Sequence, residues 1–255
     1  MEKRKGPRTV NKPLILYGKG ALGKLAVEIF AELNIPVRSV IDKDDLPIYL
    51  ANQQDYLVAV CVATSPFTHI LGQLAFIGFE DIVPVWDIIE AYPEIGLRNG
   101  WFVELFNKED SMCVRQIRDG LADENSRKTY SNFFAWRSAR TLSLPEYEVR
   151  EFGDYRPLSS TLGEIRRRRN AYRRNAIGQL ENNYIHAEGL ELLVVETSLD
   201  RFIKQRPDIT VACYHSRDGL WKIQKTLMDN LSNYNFYFNM YAYQGQAAYF
   251  TCKPK

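Results

Sequence analysis

Gly18, Gly20 and Gly23 stand at G-x-G-x-x-G spacing directly after a short apolar run, Leu14-Ile15-Leu16-Tyr17. Glycines at this spacing have separate tasks beside a phosphate. The first permits a tight turn, the second lets backbone approach a pyrophosphate, and the third lets helix and strand pack closely. The helix that follows offers free N–H groups and a partial positive charge to the anion. Asp42 lies 19 residues after Gly23, at the end of the next apolar run, where it can accept hydrogen bonds from ribose hydroxyls. Thr64 and Ser65 follow a third apolar run and could line the same crevice. Together these residues point to a nucleotide or nucleotide-sugar. The same glycines could instead only shape a tight strand-to-helix turn, and Thr64 and Ser65 could simply cap their loop.

A second group of residues offers weaker chemistry. His215 ends an apolar run, Ile209 to Tyr214, and α/β sites gather where such strands end. It is a candidate general base, or a histidine hydrogen-bonded at a strand end. No acidic partner can be picked out for it, because Asp218 could equally cap the helix that begins near Leu220. Arg166 to Arg174 holds six arginines in nine residues, a run that could grip phosphate. Tyr172 is its only aromatic, so base-stacking platforms are missing and a nucleic-acid partner is not expected. Cys61, Cys113, Cys213 and Cys252 show no C-x-x-C spacing, and with three histidines and no His/Cys cluster no metal site is expected. Cys61 and Cys213 fall inside apolar runs and read as core.

Regular elements must hold these residues in place. Leu22, Leu25, Ala26, Ile29, Phe30 and Leu33 make a helical stripe over three turns, with Lys24, Glu28 and Glu32 opposite. Val37 to Ile41, Tyr56 to Val62 and Ile82 to Val85 read as further strands. The continuous apolar run at 56–62 marks a parallel strand covered on both faces. Phe67, Ile70, Leu71 and Leu74 form another helical stripe. The order β-α-β-β-α-β predicts a mainly parallel, Rossmann-like sheet. Residues 105–142 read as helices, with Asp110 and Ser111 as candidate caps of one and Asp123 and Glu124 opening the next. Residues 143–185, broken by Pro145, Pro157 and Gly163, read as a linker or exposed arm. Beyond them, Leu220, Ile223, Leu227 and Leu231 form a helical stripe. Phe236 to Tyr243 and Ala247 to Cys252 form a hairpin around Gln244-Gly245-Gln246.

Several stretches resemble a known family. LYGKGALGKLAVEIF, VRSVID and VAVCVATSPFTHILGQLAFIGFEDIVPV are similar to the accessory domain that precedes the catalytic domain in some FkbM-type methyltransferases. LADENSRKTYSNFFAWR resembles that family's inter-domain segment. ETSLDRFI and ITVACYHSRDGLWKIQKTLMDNLSNYNFYFNMYAY resemble the closing part of its catalytic domain. The resemblance implies an α/β protein in three parts. These are a Rossmann-like nucleotide-binding domain over 13–100, a helical connecting segment over 101–145, and a methyltransferase-like domain over 146–255 that ends in a β-hairpin. It further implies S-adenosylmethionine as cofactor and a hydroxyl of a glycan or similar acceptor as substrate.

The chain also departs from that pattern. The family carries an acidic, glycine-containing loop after its first catalytic strand, which holds S-adenosylmethionine. It also carries a lysine–aspartate–glutamate–glycine segment between the SLD and YH motifs. Here only Lys204-Gln205-Arg206-Pro207-Asp208 separates Ile203 from Ile209, and Gly153-Asp154 follows no apolar strand. The second domain is therefore expected to be truncated and methyl transfer to be defective. A non-catalytic nucleotide- or nucleotide-sugar-binding protein and an active O-methyltransferase both stay open.

Bulk properties set the remaining bounds. A net charge of +2 supplies no global field toward nucleic acid or membrane. The basic start MEKRKGPR leads into no apolar run, and no stretch of about 18 apolar residues exists. With its cysteines unpaired in pattern, the chain is expected in the cytoplasm. Homo-oligomerisation is left open.

Overall fold

The computed structural model describes residues 7–48, 52–97, 107–139, 161–175, 183–216, 218–243, 245 and 247–255. The first sheet contains β1 (Leu14–Tyr17), β2 (Val37–Ile41), β3 (Leu57–Val60) and β4 (Asp81–Pro84). All neighbours are parallel, in the order β2-β1-β3-β4. Every residue of β1 and β3 is buried, which is why these strands read as unbroken apolar blocks rather than alternating ones. Helix α1 (Ala21–Glu32) buries Gly23, Ala26, Ile29 and Phe30, and α2 (Phe67–Phe76) buries Phe67, Ile70 and Leu74. The short α3 (Val85–Ile89) continues β4 and is buried throughout.

The first helix of the middle segment, α4 (Lys108–Gly120), is capped one turn earlier than Asp110 and Ser111 suggested. Asn107 is its N-cap and accepts from the Asp110 N–H, while Asp110 reaches back to the Asn107 N–H. Asp123 accepts from the Ser126 N–H and opens α5 (Glu124–Ala139) as expected. The arginine run is no exposed arm. It lies on a helix, α6 (Leu162–Asn175), started by a Thr161–Glu164 capping box. Arg166 forms a two-point ion pair with Glu32 of α1 (2.6 and 2.7 Å), and Arg169 donates to the Gly96 carbonyl. Leu162 and Ile165 bury the apolar side of this helix. Residues 8–12 are also held: Arg8 and Lys12 pair with Asp81, and the Val10 N–H donates to Tyr92 Oη. The stretch 140–160, with Pro145, Gly153-Asp154 and Pro157, lies outside the described residues, as do Gln244 and Gln246.

The second sheet is built from β5 (Tyr184–Ile185), β6 (Ile209–Ala212), β7 (Tyr234–Met240) and β8 (Ala248–Pro254). Its order is β5-β6-β8-β7: β5 and β6 are parallel, and β8 runs antiparallel to both β6 and β7. Helices α7 (Glu191–Gln205) and α8 (Lys222–Asn230) connect these strands. β7 ends the sheet, and the start of α5 covers it. The Ala122 N–H donates to the Phe236 carbonyl and Ser126 Oγ accepts from the Phe238 N–H, so part of the open strand edge is satisfied.

One apolar cluster runs from Leu14 and Phe30, through Ile89, Ile117, Phe133 and Ile165, to Val211, Phe238 and Cys252. A smaller cluster covers the other face of the first sheet, around Ile15, Val58, Phe67 and Leu74. All four cysteines are free, and Cys61 and Cys213 are buried as expected. Among the described residues no helix is long and apolar enough to cross a membrane.

Candidate functional site

The glycine loop sits at the C-terminal end of β1, where the sheet order reverses. From β1 the chain crosses to β2 on one side, then returns to β3 on the other. Ligands of open α/β sheets bind in the crevice at that reversal. Gly18, at φ 115°, has no room for a side chain: a Cβ there would lie 2.8 Å from Val62 Cγ2 and 3.0 Å from the Cys61 carbonyl oxygen. Gly23 is tighter still, because its Cβ would fall 1.9 Å from the Gly18 carbonyl oxygen. Gly20 differs: it is exposed, extended, and has nothing within 4 Å of a Cβ. Two of the three glycines are thus demanded by packing, and the third faces open space at the start of α1.

Asp42 closes one side of this loop. Its carboxylate accepts from the Lys19 N–H (3.3 Å) and the Lys43 N–H (2.8 Å), while Lys19 Nζ pairs with Asp45 at 2.7 Å. Thr64 is exposed just beyond β3. Across the mouth, the Tyr243 N–H donates to the Ala63 carbonyl at 2.7 Å. The turn that carries Tyr243 is held from behind by Arg137. That side chain is fully buried, donates to the Gly245 carbonyl at 3.0 Å and packs over the Phe133 ring. The structure therefore places Gly18, Gly20, Gly23 and Asp42 on adjoining turns at the ends of β1 and β2, with Thr64 in the segment that follows β3.

His215 stands elsewhere, in a cluster at the ends of β5 and β6. Its partners are acidic, and neither could be picked out from the sequence. Nδ1 lies 2.7 Å from Glu191 Oε1, and Nε2 lies 3.5 Å from Glu188 Oε2. His186, immediately after β5, joins it, with ring centroids 4.8 Å apart. Its Nδ1 is 3.0 Å from Tyr249 Oη, and its Nε2 is 3.3 Å from Glu188 Oε1. Arg168 of α6 donates to Glu188 Oε1 at 2.8 Å, and Tyr184 Oη donates to Tyr249 Oη at 2.8 Å. The backbone of Glu188 is left-handed (φ 52°), as is that of Gly189 (φ 95°). Held this way by the surrounding contacts, a non-glycine residue in this region costs on the order of 1 kcal/mol. Glu191 is 2% exposed, and its carboxylate also accepts the N–H groups of Ala187 and Gly189, both at 2.9 Å.

The charges in this pocket follow from burial and pairing. Burial alone would raise Glu188, but the His186 hydrogen bond, the charges of His215 and His186, and the Arg168 hydrogen bond hold it down to about 2. Burial opposes the charge on Glu191 as well, yet His215 keeps it below the usual carboxylate range. For His215, burial is outweighed by the two glutamates and its pKa is raised. For His186, burial prevails and the pKa falls. The pocket thus pairs a histidine whose charged form burial disfavours with one whose charged form two glutamates favour, a set able to accept and donate protons. His186, Glu188 and His215 could also hold a metal ion, since one ligand atom from each lies within 4.8 Å of the others.

Sequence reasoning missed His186, Glu188, Glu191, Arg168 and Tyr249. One signal was present. Glu188-Gly189 follows the strand-like Tyr184-Ile185. ETSLDRFI lies within α7, downstream of that pair.

No family model matches this sequence, and no curated protein matches it. Among solved structures, the chain is similar to the crystal structure of methyltransferase FkbM from Methylobacillus flagellatus KT. The TM-score is 0.54 at 11% identity, covering 94% of this chain and 90% of that one. The chain has a methyltransferase-like fold. At this identity the likeness concerns the fold alone, with its parallel first sheet, connecting helices and second sheet closed by strands.

Proposed function

We propose that this protein binds a nucleotide or nucleotide-sugar at the crevice between the ends of β1 and β3, within a nucleotide-binding unit over residues 13–100. The second, methyltransferase-like half over 146–255 is proposed to lack S-adenosylmethionine-dependent transfer. The observation that carries the binding reading is the contrast among the glycines. Gly18 and Gly23 are filled by the fold, whereas Gly20 leaves space beside the first turn of α1. That turn has no side-chain cap, so its N–H groups are available to a phosphate. Asp42 borders the same loop and suits ribose hydroxyls.

The loop after β5 argues against a methyl-donor site there. Its Ala187 and Gly189 amides are already taken by the Glu191 carboxylate, so they are not free to receive the donor's carboxylate. Methyl transfer depends chiefly on alignment of donor and acceptor, and these two amides cannot supply it while Glu191 holds them.

Calorimetry with a panel of nucleotides and nucleotide-sugars, on wild type and Gly20→Val, tests the first reading. The extended backbone at Gly20 accepts valine, so the fold should survive while the phosphate is obstructed. Binding by wild type that is lost in the variant is expected. No binding to any panel member, or equal binding by both proteins, sinks the reading. Equilibrium dialysis with labelled S-adenosylmethionine tests the second: a micromolar dissociation constant, about −8 kcal/mol, would restore the alternative of an active O-methyltransferase acting on a glycan-type hydroxyl. That alternative is favoured by the fold likeness alone.

A further inference from the structure

We infer that His186 Nε2, the Glu188 carboxylate and His215 Nε2 form a site for one divalent transition-metal ion of the zinc class, with a fourth position open. Two imidazoles and one carboxylate suit zinc and its neighbours, and three protein ligands with an open position are the pattern of reactive rather than structural sites.

The distances distinguish an inner from an outer shell. The outward-facing nitrogens make ordinary hydrogen bonds, His215 Nδ1 to Glu191 at 2.7 Å and His186 Nδ1 to Tyr249 at 3.0 Å. The inward contacts are longer: His186 Nε2 and His215 Nε2 stand 3.3 and 3.5 Å from the two oxygens of Glu188. Those separations lie at the long end of N–H···O bonds. The 3.5 Å between His215 Nε2 and Glu188 Oε2 is close to the edge of a tetrahedron around an ion with bonds of about 2.1 Å, which is about 3.4 Å, and all three ligand atoms lie within 4.8 Å of one another, so an ion would draw His186 Nε2 inward. Such contacts to Nδ1 are the ones that commonly fix the rings of metal-bound histidines, leaving Nε2 for the ion. Glu191 is itself fixed by two backbone N–H groups, and Tyr249 Oη by Tyr184.

Arg168 brings an opposing charge to the site. It binds Glu188 Oε1, leaving Oε2, which faces His215, for the ion. The left-handed backbone at Glu188 aims this carboxylate between the two rings. Its cost is repaid when the side chain has work to do there.

The test uses the full chain without a histidine tag. Zinc affinity is measured by competition with a chromogenic chelator, and cobalt(II) is added as a spectroscopic probe. Wild type should bind one equivalent of either ion with a dissociation constant of about 1 μM or tighter. The cobalt adduct should show the intense visible bands of four- or five-coordination. Glu188→Gln should lose both signals. Tyr249→Phe removes only the outer partner of His186 and should weaken binding about 10–100-fold. His69→Ala, at the exposed third histidine, should change nothing. Should Glu188→Gln fail to fold by circular dichroism, Tyr249→Phe decides. No binding of either ion by wild type, or binding that Tyr249→Phe leaves unchanged, overturns the inference.

Discussion

Adding one methyl group to the glycine loop should have opposite consequences at two positions three residues apart. At Gly23 a Cβ would lie 1.9 Å from the Gly18 carbonyl oxygen, whereas real Cβ atoms stay at or beyond 3.0 Å. The turn must open by the difference, 1.1 Å. The obstacle is backbone and cannot rotate away, and Gly18 is itself tied by its N–H to the Ile41 carbonyl at 2.8 Å. Relief requires α1 to move off β1, loosening the fully buried Ala26, Ile29 and Phe30. Overpacking of this kind costs about 1–3 kcal/mol, and the rigid obstacle puts Gly23→Ala at the upper end. For a chain of this size that lowers Tm by roughly 5–10 °C. At Gly20 the methyl meets open space and an extended backbone, so Gly20→Ala should cost no more than about 1 kcal/mol, mostly through poorer N-capping. Urea unfolding followed by far-UV circular dichroism, with slopes compared between variants, measures both. A Gly23→Ala protein within about 0.5 kcal/mol of wild type would show that the close strand–helix contact is not what the glycine spacing secures.

Three further outcomes are expected. Asp81, held below its usual range by the Arg8 hydrogen bonds, contributes stability that is present above its unfolded pKa and lost as pH falls through the lower folded one. Asp81→Asn should therefore flatten the fall in stability between about pH 5 and 3 and cost on the order of 1–2 kcal/mol at neutral pH; a variant as acid-sensitive as wild type would refute this. Tyr130, fully buried, donates to the Leu220 carbonyl at 2.9 Å, so Tyr130→Phe should lose about 1–2 kcal/mol in denaturant titrations, and an unchanged midpoint would count against that bond. Arg166→Ala removes only a half-exposed ion pair with Glu32, so a stability loss well above about 1 kcal/mol would mean that α6 docks on α1 through this pair rather than through Leu162 and Ile165.

The first sheet was readable because its physics is local. β1 and β3 are buried on both faces, so their sequences are simple apolar blocks, and α1 presents a stripe long enough to show its period. The glycine spacing marked a turn in which Gly18 and Gly23 leave no room for a side chain. The second half was harder for physical reasons. β5 has two residues, too few for any period. In α6 the arginines outnumber the apolar residues, and the helix shows only once Arg166, Arg168 and Arg169 are seen to have partners. The histidine cluster draws its members from α6, the end of β5, the first turn of α7, the end of β6 and β8. No spacing rule joins residues that tertiary packing brings together. Glu191 was the hardest to find, because a glutamate in the first turn of a helix ordinarily faces water.

The unbroken apolar cluster also bears on how the chain must be made. Synthesis delivers the first sheet with α1 and α3 before any of Ile117, Phe133, Ile165 or Val211 exists, although these residues complete the cluster to which Leu16, Trp86 and Ile89 belong. At about 5–20 residues per second, residues 98–255 take roughly 8–30 s to emerge. Throughout that interval the nascent first half carries an uncovered apolar side, long enough for chaperones or neighbouring nascent chains to find it.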